Sequence, residues 1–234
     1  MTAILAIDTA AEQCSVCLLL GDKERKIYAL TELAPRSHAQ RLLPMIQEVL
    51  AQAGLSLADL DALAFGRGPG SFTGLRIASG FVQGLAFGQD LPVIPVSNLQ
   101  ALAAHVFKTG SGDFERCLVL VDARMDEIYW AEFSCGSGNP ELQGRERVDK
   151  PEAIADLLSA QHPMPVIGSG LHYAQRLGEI GLWPASGLAP EHPASLIAEL
   201  ALLEWERGAF VSAKDAAPIY VRDDVAWKKL PGRE

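Results

Sequence analysis

The sequence has few positive charges for its length. It holds 20 Lys and Arg against 29 Asp and Glu, which gives a formal net charge of −9 over 234 residues. A protein that binds nucleic acid by itself usually presents a basic surface, because contacts to phosphates supply most of that affinity. The charge balance argues against a stand-alone nucleic-acid-binding protein, and any nucleic acid is expected to be held through a partner.

Long apolar runs are also missing. The N-terminal stretch MTAILAIDTA carries neither the basic region nor the long apolar region of a signal peptide. Elsewhere, Gly, Gln or Asp interrupts each apolar stretch well before the roughly 18 residues of a membrane-spanning helix. We expect a cytoplasmic protein that makes no membrane contact.

Cysteine is scarce, and its four positions are 14, 17, 117 and 135. In a chain without an export signal these are expected to be reduced thiols. Cys14 and Cys17 form a C-x-x-C pair, but they lie in a strand-like segment, where residues three apart point to opposite faces. The sequence offers neither a second such pair nor a histidine pair to complete a tetrahedral site, so no metal site is predicted.

Catalytic motifs of hydrolases are absent from the sequence. It contains no H-E-x-x-H zinc motif and no G-x-S-x-G nucleophile motif. Ser71 follows a glycine and precedes a helix, yet no base in a recognisable context accompanies it. We therefore interpret Ser71 as a helix N-cap and predict no catalytic residue.

The opening of the chain predicts an antiparallel meander. Residues 3–8, 14–20 and 26–30 are short apolar runs with tight connections, and Asp8 closes the first of them. A similar plan appears later, where 117–121 runs into Asp122 and a return strand follows a tight turn. Helices alternate with strands after each of these openings. The fold class is therefore α/β, with two related units rather than a barrel.

The domain boundaries follow from this repeat. We place an N-terminal unit at 1–108 and a smaller second unit at 109–192, joined near the small polar segment KTGSGD. A C-terminal helix at about 193–208 is expected to pack back on the N-terminal unit. Residues 209–234 are interpreted as a tail.

The segment GRGPGSFTG, residues 66–74, is the strongest local signal. It joins a predicted strand to a predicted helix start, where free backbone amides favour anions. It is not a Walker A loop, since no lysine follows the last glycine, and the spacing of its glycines is not G-x-G-x-x-G. Two interpretations stay open: a phosphate cradle, or a tight chain reversal with close packing of the following helix.

Two helices, at about 38–53 and 73–88, are expected to form a contact surface. The first carries apolar residues over more than one face, more than burial on one sheet requires: Leu42, Met45, Ile46 and Val49. The second carries a glycine stripe, although each glycine costs up to about 1 kcal/mol of helix stability relative to alanine: Gly80, Gly84 and Gly88. Something must pack closely on that stripe, either this chain's own sheet or another chain.

Five segments in order resemble a known family: AIDTA, SHAQRLLPMI, GRGPGSFTGLRIASG, PVSNLQALA and VDARMDEIYWAEF. They are similar to the TsaB (YeaZ) family of tRNA threonylcarbamoyladenosine biosynthesis, with weaker agreement near 168–170 and 218–222. The resemblance implies the fold of actin, sugar kinases and chaperone ATPases (ASKHA), in which two units enclose a nucleotide cleft. The vestigial nucleotide-site residues it implies are Asp8 and Thr9 in the first phosphate motif, Asp122 in the second, and Gly168 and Gly170 in the adenosine motif.

Departures from that pattern imply a degenerate cleft. Ala10 and the pair Ala123 and Arg124 stand where working members of the superfamily have glycine, so the approach of phosphate to the backbone would be crowded. The related catalytic subunit, TsaD, holds a metal with H-x-x-x-H. Here His38 matches the first histidine of that motif, and Leu42 stands at the position of the second. The resemblance therefore implies no cofactor bound by this chain alone, with ATP and metal used by partner subunits.

The resemblance also implies partners. A non-catalytic scaffold is expected to pair with a TsaD-like catalytic subunit and a TsaE-like small ATPase, to meet tRNA only through the complex, and to form a homodimer when alone. Two alternatives stay open. One is an active ATPase or sugar kinase of the same fold, and the other is a metal-dependent glycopeptidase.

Overall fold

The computed structural model describes residues 1–21, 24–109, 114–136, 139–158, 164–178, 183–184 and 190–222. Most of the predicted linker at 108–113 and the end of the predicted tail lie outside these residues. Two five-stranded sheets and their helices make up the described fold, which confirms the α/β class. The division at 108 and 109 stays a prediction.

The strands of the N-terminal sheet have the order β3-β2-β1-β4-β5. They are β1 Thr2–Asp8, β2 Gln13–Gly21, β3 Lys26–Leu33, β4 Ala62–Gly68 and β5 Val93–Ser97. β1, β2 and β3 form the antiparallel meander that the sequence predicts, while β4 and β5 extend the sheet in parallel. The carboxyl ends of β1, β4 and β5 therefore meet at one edge.

Helices cover this sheet on both faces. The helices of the chain are α1 His38–Ala53, α2 Phe72–Gln89, α3 Asn98–Thr109, α4 Pro151–Leu158, α5 Ala174–Leu177 and α6 Pro193–Glu206. α1 and α2 bury one face of the sheet, and α6 buries the other. β1 and β2 are consequently apolar on both faces and do not alternate.

The ends of α1 and α2 illustrate local sequence control. Gly54 ends α1 in the left-handed conformation, as its position predicts, and Ser71 caps α2 by accepting the Gly74 amide. Ser37 occupies the N-cap position of α1, but its side chain makes no capping hydrogen bond.

The C-terminal sheet has the order β10-β9-β6-β7-β8. Its strands are β6 Arg116–Asp122, β7 Ile128–Gly136, β8 Asn139–Asp149, β9 Pro165–Ile167 and β10 Trp183–Pro184. The sequence does not predict β8, because this edge strand is largely polar and exposed and so gives no apolar pattern. With β8 included, β6, β7 and β8 form a second antiparallel meander.

Helix α3 joins the two sheets. Leu99, Ala103 and Val106 on α3 pack against Val119 and Phe133 of the C-terminal sheet. α4 and α5 lie at the opposite face of that sheet. The edge where β1 and β4 end thus lies beside the carboxyl ends of β6 and β9.

Polar contacts reinforce this junction. The carboxylate of Glu146 on β8, only 8% exposed, pairs with Arg67 at 3.1 Å and accepts the hydroxyl of Ser97. The C-terminal segment adds a second link, since the Ile219 amide donates to the Arg67 carbonyl at 2.8 Å. Arg222 then donates to the Ala123 carbonyl at 3.2 Å.

The cysteines lie where the strand interpretation places them. Cys14 and Cys17 occupy opposite faces of β2, one against α1 and the other against α6. Burial raises the pKa of Cys14 to about 11 and that of Cys17 to about 12, so both are inert thiols. Within the described ranges, no three His, Cys, Asp or Glu residues are placed to hold a metal ion. No helix there has the length and apolarity needed to cross a membrane.

Candidate functional site

A cleft of about 360 Å³ lies between the two sheets. Its walls come from the β1–β2 turn, the first turns of α3, the ends of β6 and β9, and the start of α6. Of the predicted nucleotide-site residues, Asp8 and Gly168 line it. Thr9, Asp122 and Gly170 do not belong to its lining.

Asp8 lies at the carboxyl end of β1 and is buried. Its Oδ1 accepts the Ala10 amide at 3.0 Å and the side-chain amide of Asn98 at 3.0 Å. Asn98 is fixed in turn because its Oδ1 accepts the Gly68 amide at 2.8 Å. Burial raises the pKa of the Asp8 carboxyl, and these hydrogen bonds oppose the shift. The role of Asn98 is not predicted from the sequence, where its only signal is its place at the start of α3.

The first turn is closed against helix α2. The Thr9 hydroxyl donates to the Gly74 carbonyl at 2.7 Å, and the Ser71 amide donates to the Ala10 carbonyl at 2.7 Å. A Cβ at Gly74 would overlap the Thr9 carbonyl oxygen, and one at Gly70 would lie 2.8 Å from Ala10. Close packing therefore accounts for Gly70 and Gly74, and the Thr9 hydroxyl is used in the contact between the turn and α2.

In the second turn, between β6 and β7, side-chain oxygens accept the backbone amides of Asp122 and Arg124. Asp122 Oδ1 accepts the Arg124 amide at 2.9 Å, and Oδ2 lies 3.3 Å from the Arg124 guanidinium. The Asp122 amide donates to Ser169 Oγ at 3.0 Å. Arg124, Met125 and Asp126 all have positive φ, between 57° and 60°. The amides of Asp122 and Arg124 are thus already bonded within the chain.

Gly168 and Gly170 pack against the strand β6. Gly168 has a φ of 115°, and a Cβ there would overlap the Leu120 carbonyl oxygen. A Cβ at Gly170 would lie 2.9 Å from the Leu120 Cβ. Both glycines are explained by this close approach of two backbones, without any ligand.

The charge of the cleft is unusual for a phosphate site. Among the described residues that line it, Asp8 is the only one with an ionisable side chain. Arg124 lies outside that lining, with its side chain 77% exposed, and reaches Glu12 at 3.8 Å. A polyphosphate entering the cleft would meet a carboxyl group and, among the lining residues that the structure describes, no cation.

The expected contact residues of α1 are not on the surface. Leu42, Met45, Ile46 and Val49 are at most 1% exposed and pack in the N-terminal core. The prediction that they form an interface is wrong, because the whole apolar stripe is needed to cover the sheet. The outward apolar residue of α1 is Leu43, which is 43% exposed.

The glycine stripe of α2 is open. A Cβ at Gly80, Gly84 or Gly88 would meet no atom within 4 Å in the described part of the chain, and all three residues are exposed. The interpretation that the stripe packs on this chain's own sheet is wrong. Phe87, beside the stripe, is 86% exposed.

Relatives that match nearly the full chain belong to one family. The chain is 42% identical to the tRNA threonylcarbamoyladenosine biosynthesis protein TsaB of Haemophilus influenzae, over 99% of this chain and 98% of that protein. It is also 42% identical to the protein of that name from Escherichia coli, over 99% of both. The solved structure of YeaZ from Pseudomonas aeruginosa superposes with a TM-score of 0.82 at 41% identity, covering 94% of this chain and all of that one.

A family model matches as well. The model described as TsaD, tRNA N6-adenosine threonylcarbamoyltransferase, matches residues 30–177. A second solved structure from Pseudomonas aeruginosa, described as an uncharacterized protein with similarity to peptidase YeaZ, has a TM-score of 0.83 at 41% identity. It covers 95% of this chain and the whole of that one.

Proposed function

The chain belongs to the TsaB (YeaZ) family of tRNA threonylcarbamoyladenosine biosynthesis proteins, and we propose that it serves this pathway as a non-catalytic scaffold subunit. In this role it partners and activates a TsaD-like catalytic subunit. That subunit and a TsaE-like small ATPase use the ATP and the metal. tRNA reaches this chain only through the complex, in keeping with the net charge of −9.

The state of the two aspartate turns carries the non-catalytic part of the proposal. A working phosphate site needs backbone amides or cations aimed at the ligand. Here the Ala10 and Arg124 amides each donate to an aspartate of the same turn. The Asp122 amide donates to Ser169. These contacts favour a scaffold over an active ATPase or sugar kinase.

The outer surface of α2 supports the partner contact. Gly80, Gly84 and Gly88 leave an open stripe on which a helix of another chain can approach the backbone closely. The exposed side chains of Leu43 and Phe87 supply apolar area on α1 and α2. Because the TsaD family model matches residues 30–177, a TsaD-like partner is expected to offer related helices. One surface then serves either a homodimer or the heterodimer.

Gly84→Leu tests this surface. We expect the variant to keep its circular dichroism spectrum, since the space at Gly84 is open, and to lose binding to the TsaD-like subunit in calorimetry. Gln89→Leu is the matched control, because it lies about 140° around α2 from Gly84 and should bind normally. Unchanged binding by Gly84→Leu would remove the stripe from the interface.

Enzyme assays test the scaffold role. Threonylcarbamoyladenosine formation should require this chain together with both partner subunits, while the chain alone should neither hydrolyse ATP nor modify tRNA. Multiple turnover of ATP by the pure chain, abolished by Asp8→Ala, would contradict the proposal. Peptidase activity that follows the metal content of the pure protein would favour the glycopeptidase alternative.

A further inference from the structure

The last described residues of the chain, 216–222, connect helix α2 to the C-terminal unit, and we call them the C-terminal strap. Its first residue, Ala216, is fully buried, and the Ala216 carbonyl accepts the hydroxyl of Ser79 on α2 at 2.9 Å. The middle of the strap is joined to the end of β4, because the Ile219 amide donates to the Arg67 carbonyl. The first part of the strap is therefore held on the N-terminal unit.

Tyr220 fixes the strap to the outer face of α2. Its ring lies 5.3 Å from that of Phe72, and its hydroxyl accepts Nε of Arg76 at 3.0 Å. The Arg76 guanidinium in turn lies 3.8 Å above the Phe72 ring. Phe72 and Tyr220 are nearly half exposed. Because Arg76 precedes Gly80 by about one helical turn, a partner on the glycine stripe also meets this cluster.

Arg222 attaches the strap to the second turn, between β6 and β7. Its guanidinium donates to the Ala123 carbonyl at 3.2 Å and pairs with the carboxylate of Glu127. The side chains of Arg222 and Glu127 are only 22% and 31% exposed. Ala123 and Glu127 also close the turn, since the Ala123 amide donates to the Glu127 carbonyl at 2.9 Å. The strap thus joins the outer face of α2 to the second turn.

The two attachments of the strap differ in strength. On the N-terminal unit it is held by a buried residue, a backbone hydrogen bond and an aromatic contact, whereas Arg222 holds it on the C-terminal unit through one side chain. The Arg222 attachment is therefore the one that opens at the lower free-energy cost. Helix α3 and the Arg67–Glu146 ion pair still join the two units. Release of Arg222 consequently frees the second turn and not the whole C-terminal unit.

We propose that the C-terminal strap is a conformational link, through which a partner bound on α2 sets the order of the second turn. A partner that covers Arg76 and Tyr220 removes their hydrogen bond from water, and a lower local dielectric strengthens that bond. Tyr220 then keeps Arg222 within reach of the turn, whose tip presents the exposed side chain of Met125. Linkage is reciprocal, so docking of Arg222 raises the affinity for the partner. The partner's part in this link rests on the proposed scaffold function, whereas the link within the chain does not.

Hydrogen exchange of the full-length chain alone tests the link. Arg222→Ala should speed exchange of the Ala123 amide at least about tenfold, as expected for loss of a hydrogen bond from a charged group. Tyr220→Ala should speed it at least about fivefold, although Tyr220 contacts α2. Phe210→Ala is the matched control. Phe210 is similarly exposed at 47% and stacks on Trp205 outside the strap, so its removal should leave the turn unchanged.

Two further variants separate the link from a general loss of structure. In the Arg222→Ala background, Tyr220→Ala should have no additional effect on exchange of the turn, because the connection is already broken. Glu127→Gln removes the ion pair from the side of the turn while keeping the shape of the side chain, and it should speed exchange as Arg222→Ala does. Circular dichroism should show an unchanged fold in each variant.

The TsaD-like subunit tests the partner's part. Its binding should slow exchange of the second turn at least about fivefold in the wild type and should not do so in Arg222→Ala. In calorimetry Arg222→Ala should weaken that binding at least about fivefold. Arg176→Ala is the matched control, because Arg176 pairs with Asp126 of the same turn at 3.2 Å but does not belong to the strap. It should bind normally.

The outcomes distinguish this proposal from the scaffold function. Unchanged exchange of the second turn in Tyr220→Ala would overturn the link within the chain. A TsaD-like subunit that binds without slowing exchange of the turn would overturn its control by the partner. If that subunit does not bind at all, the scaffold function is wrong, while the exchange measurements on the chain alone still decide the link.

Discussion

The β1–β2 turn of the N-terminal unit and the β6–β7 turn of the C-terminal unit use the same local chemistry. In each, an aspartate Oδ1 accepts the amide two residues later, from Ala10 in the first and Arg124 in the second. Their surroundings differ. Asp8 is buried and held by Asn98, whereas Asp122 is half-buried and is joined by the exposed Arg124 side chain.

This difference shows how one turn motif acquires two energetic roles. The first turn is fixed by helix α2 through Thr9, Gly70 and Gly74. The second turn is held by Ser169, which follows β9, and by Arg222 of the C-terminal segment. We expect the N-terminal turn to be part of the folding core and the C-terminal turn to tolerate substitution.

Gly74→Ala should have the largest effect. Its Cβ would overlap the Thr9 carbonyl oxygen, and neither backbone can yield easily, so we expect a loss of at least about 3 kcal/mol in the free energy of unfolding. Gly80→Ala is the control in the same helix. Because the space around Gly80 is open, this variant should gain up to about 1 kcal/mol in the free energy of unfolding. Urea denaturation measures both, and similar values would show that α2 does not clamp the turn.

Asp8→Ala and Asp122→Ala compare the turns directly. Removing the Asp8 carboxyl strips the Ala10 and Asn98 amides of their acceptor in a buried site, at a cost of about 2–3 kcal/mol. Removing Asp122 frees an amide in a more exposed turn and should cost about 0.5–1 kcal/mol. Thermal unfolding of the two variants at neutral pH tests the order, and a larger loss at Asp122 would reverse the comparison.

Asp8→Asn should change the pH dependence of stability. Burial raises the pKa of Asp8 in the folded state, so the stability linked to its proton is full below the ordinary aspartate pKa and is lost as pH rises through the raised folded pKa. Asparagine cannot lose a proton. The free energy of unfolding of the variant, relative to that of the wild type, should therefore rise between acidic and neutral pH, as measured by denaturation curves at several pH values. A constant difference across that range would mean that Asp8 ionises as it does in the unfolded chain. A positive charge on His38 acts against burial, because it lowers the pKa of the Asp8 carboxyl.

Arg124→Ala should have the smallest effect. Its side chain is 77% exposed and its ion pairs with Asp122 and Glu12 are 3.3 and 3.8 Å long, so a change within about 0.5 kcal/mol is expected. Salt titration of the unfolding midpoint should show the same small difference. A loss above 1 kcal/mol would instead make the second turn as constrained as the first.

Prediction from the sequence succeeded where the signal is local. The apolar runs located β1, β2 and β6, Ser71 identified a helix cap, and alternation within β2 placed Cys14 and Cys17 on opposite faces. The role of Asn98 could not be predicted in this way, because its side chain donates a hydrogen bond to Asp8, 90 positions away in the chain. The ion pair of Glu146 with Arg67 could not be predicted either, because Glu146 lies on β8, a polar edge strand without an apolar pattern.

The sequence alone determined the α/β plan, the family and the positions of the two aspartate turns, because periodicity, turn residues and motifs act over a few residues. Only the tertiary structure decided what each apolar or glycine stripe contacts. Leu42 and Val49 lie in the core and Gly84 faces open space, although both stripes had predicted an interface. Periodicity shows that a helix has a distinct face, but the partner of that face is set by elements distant in sequence, whose approach no local pattern records.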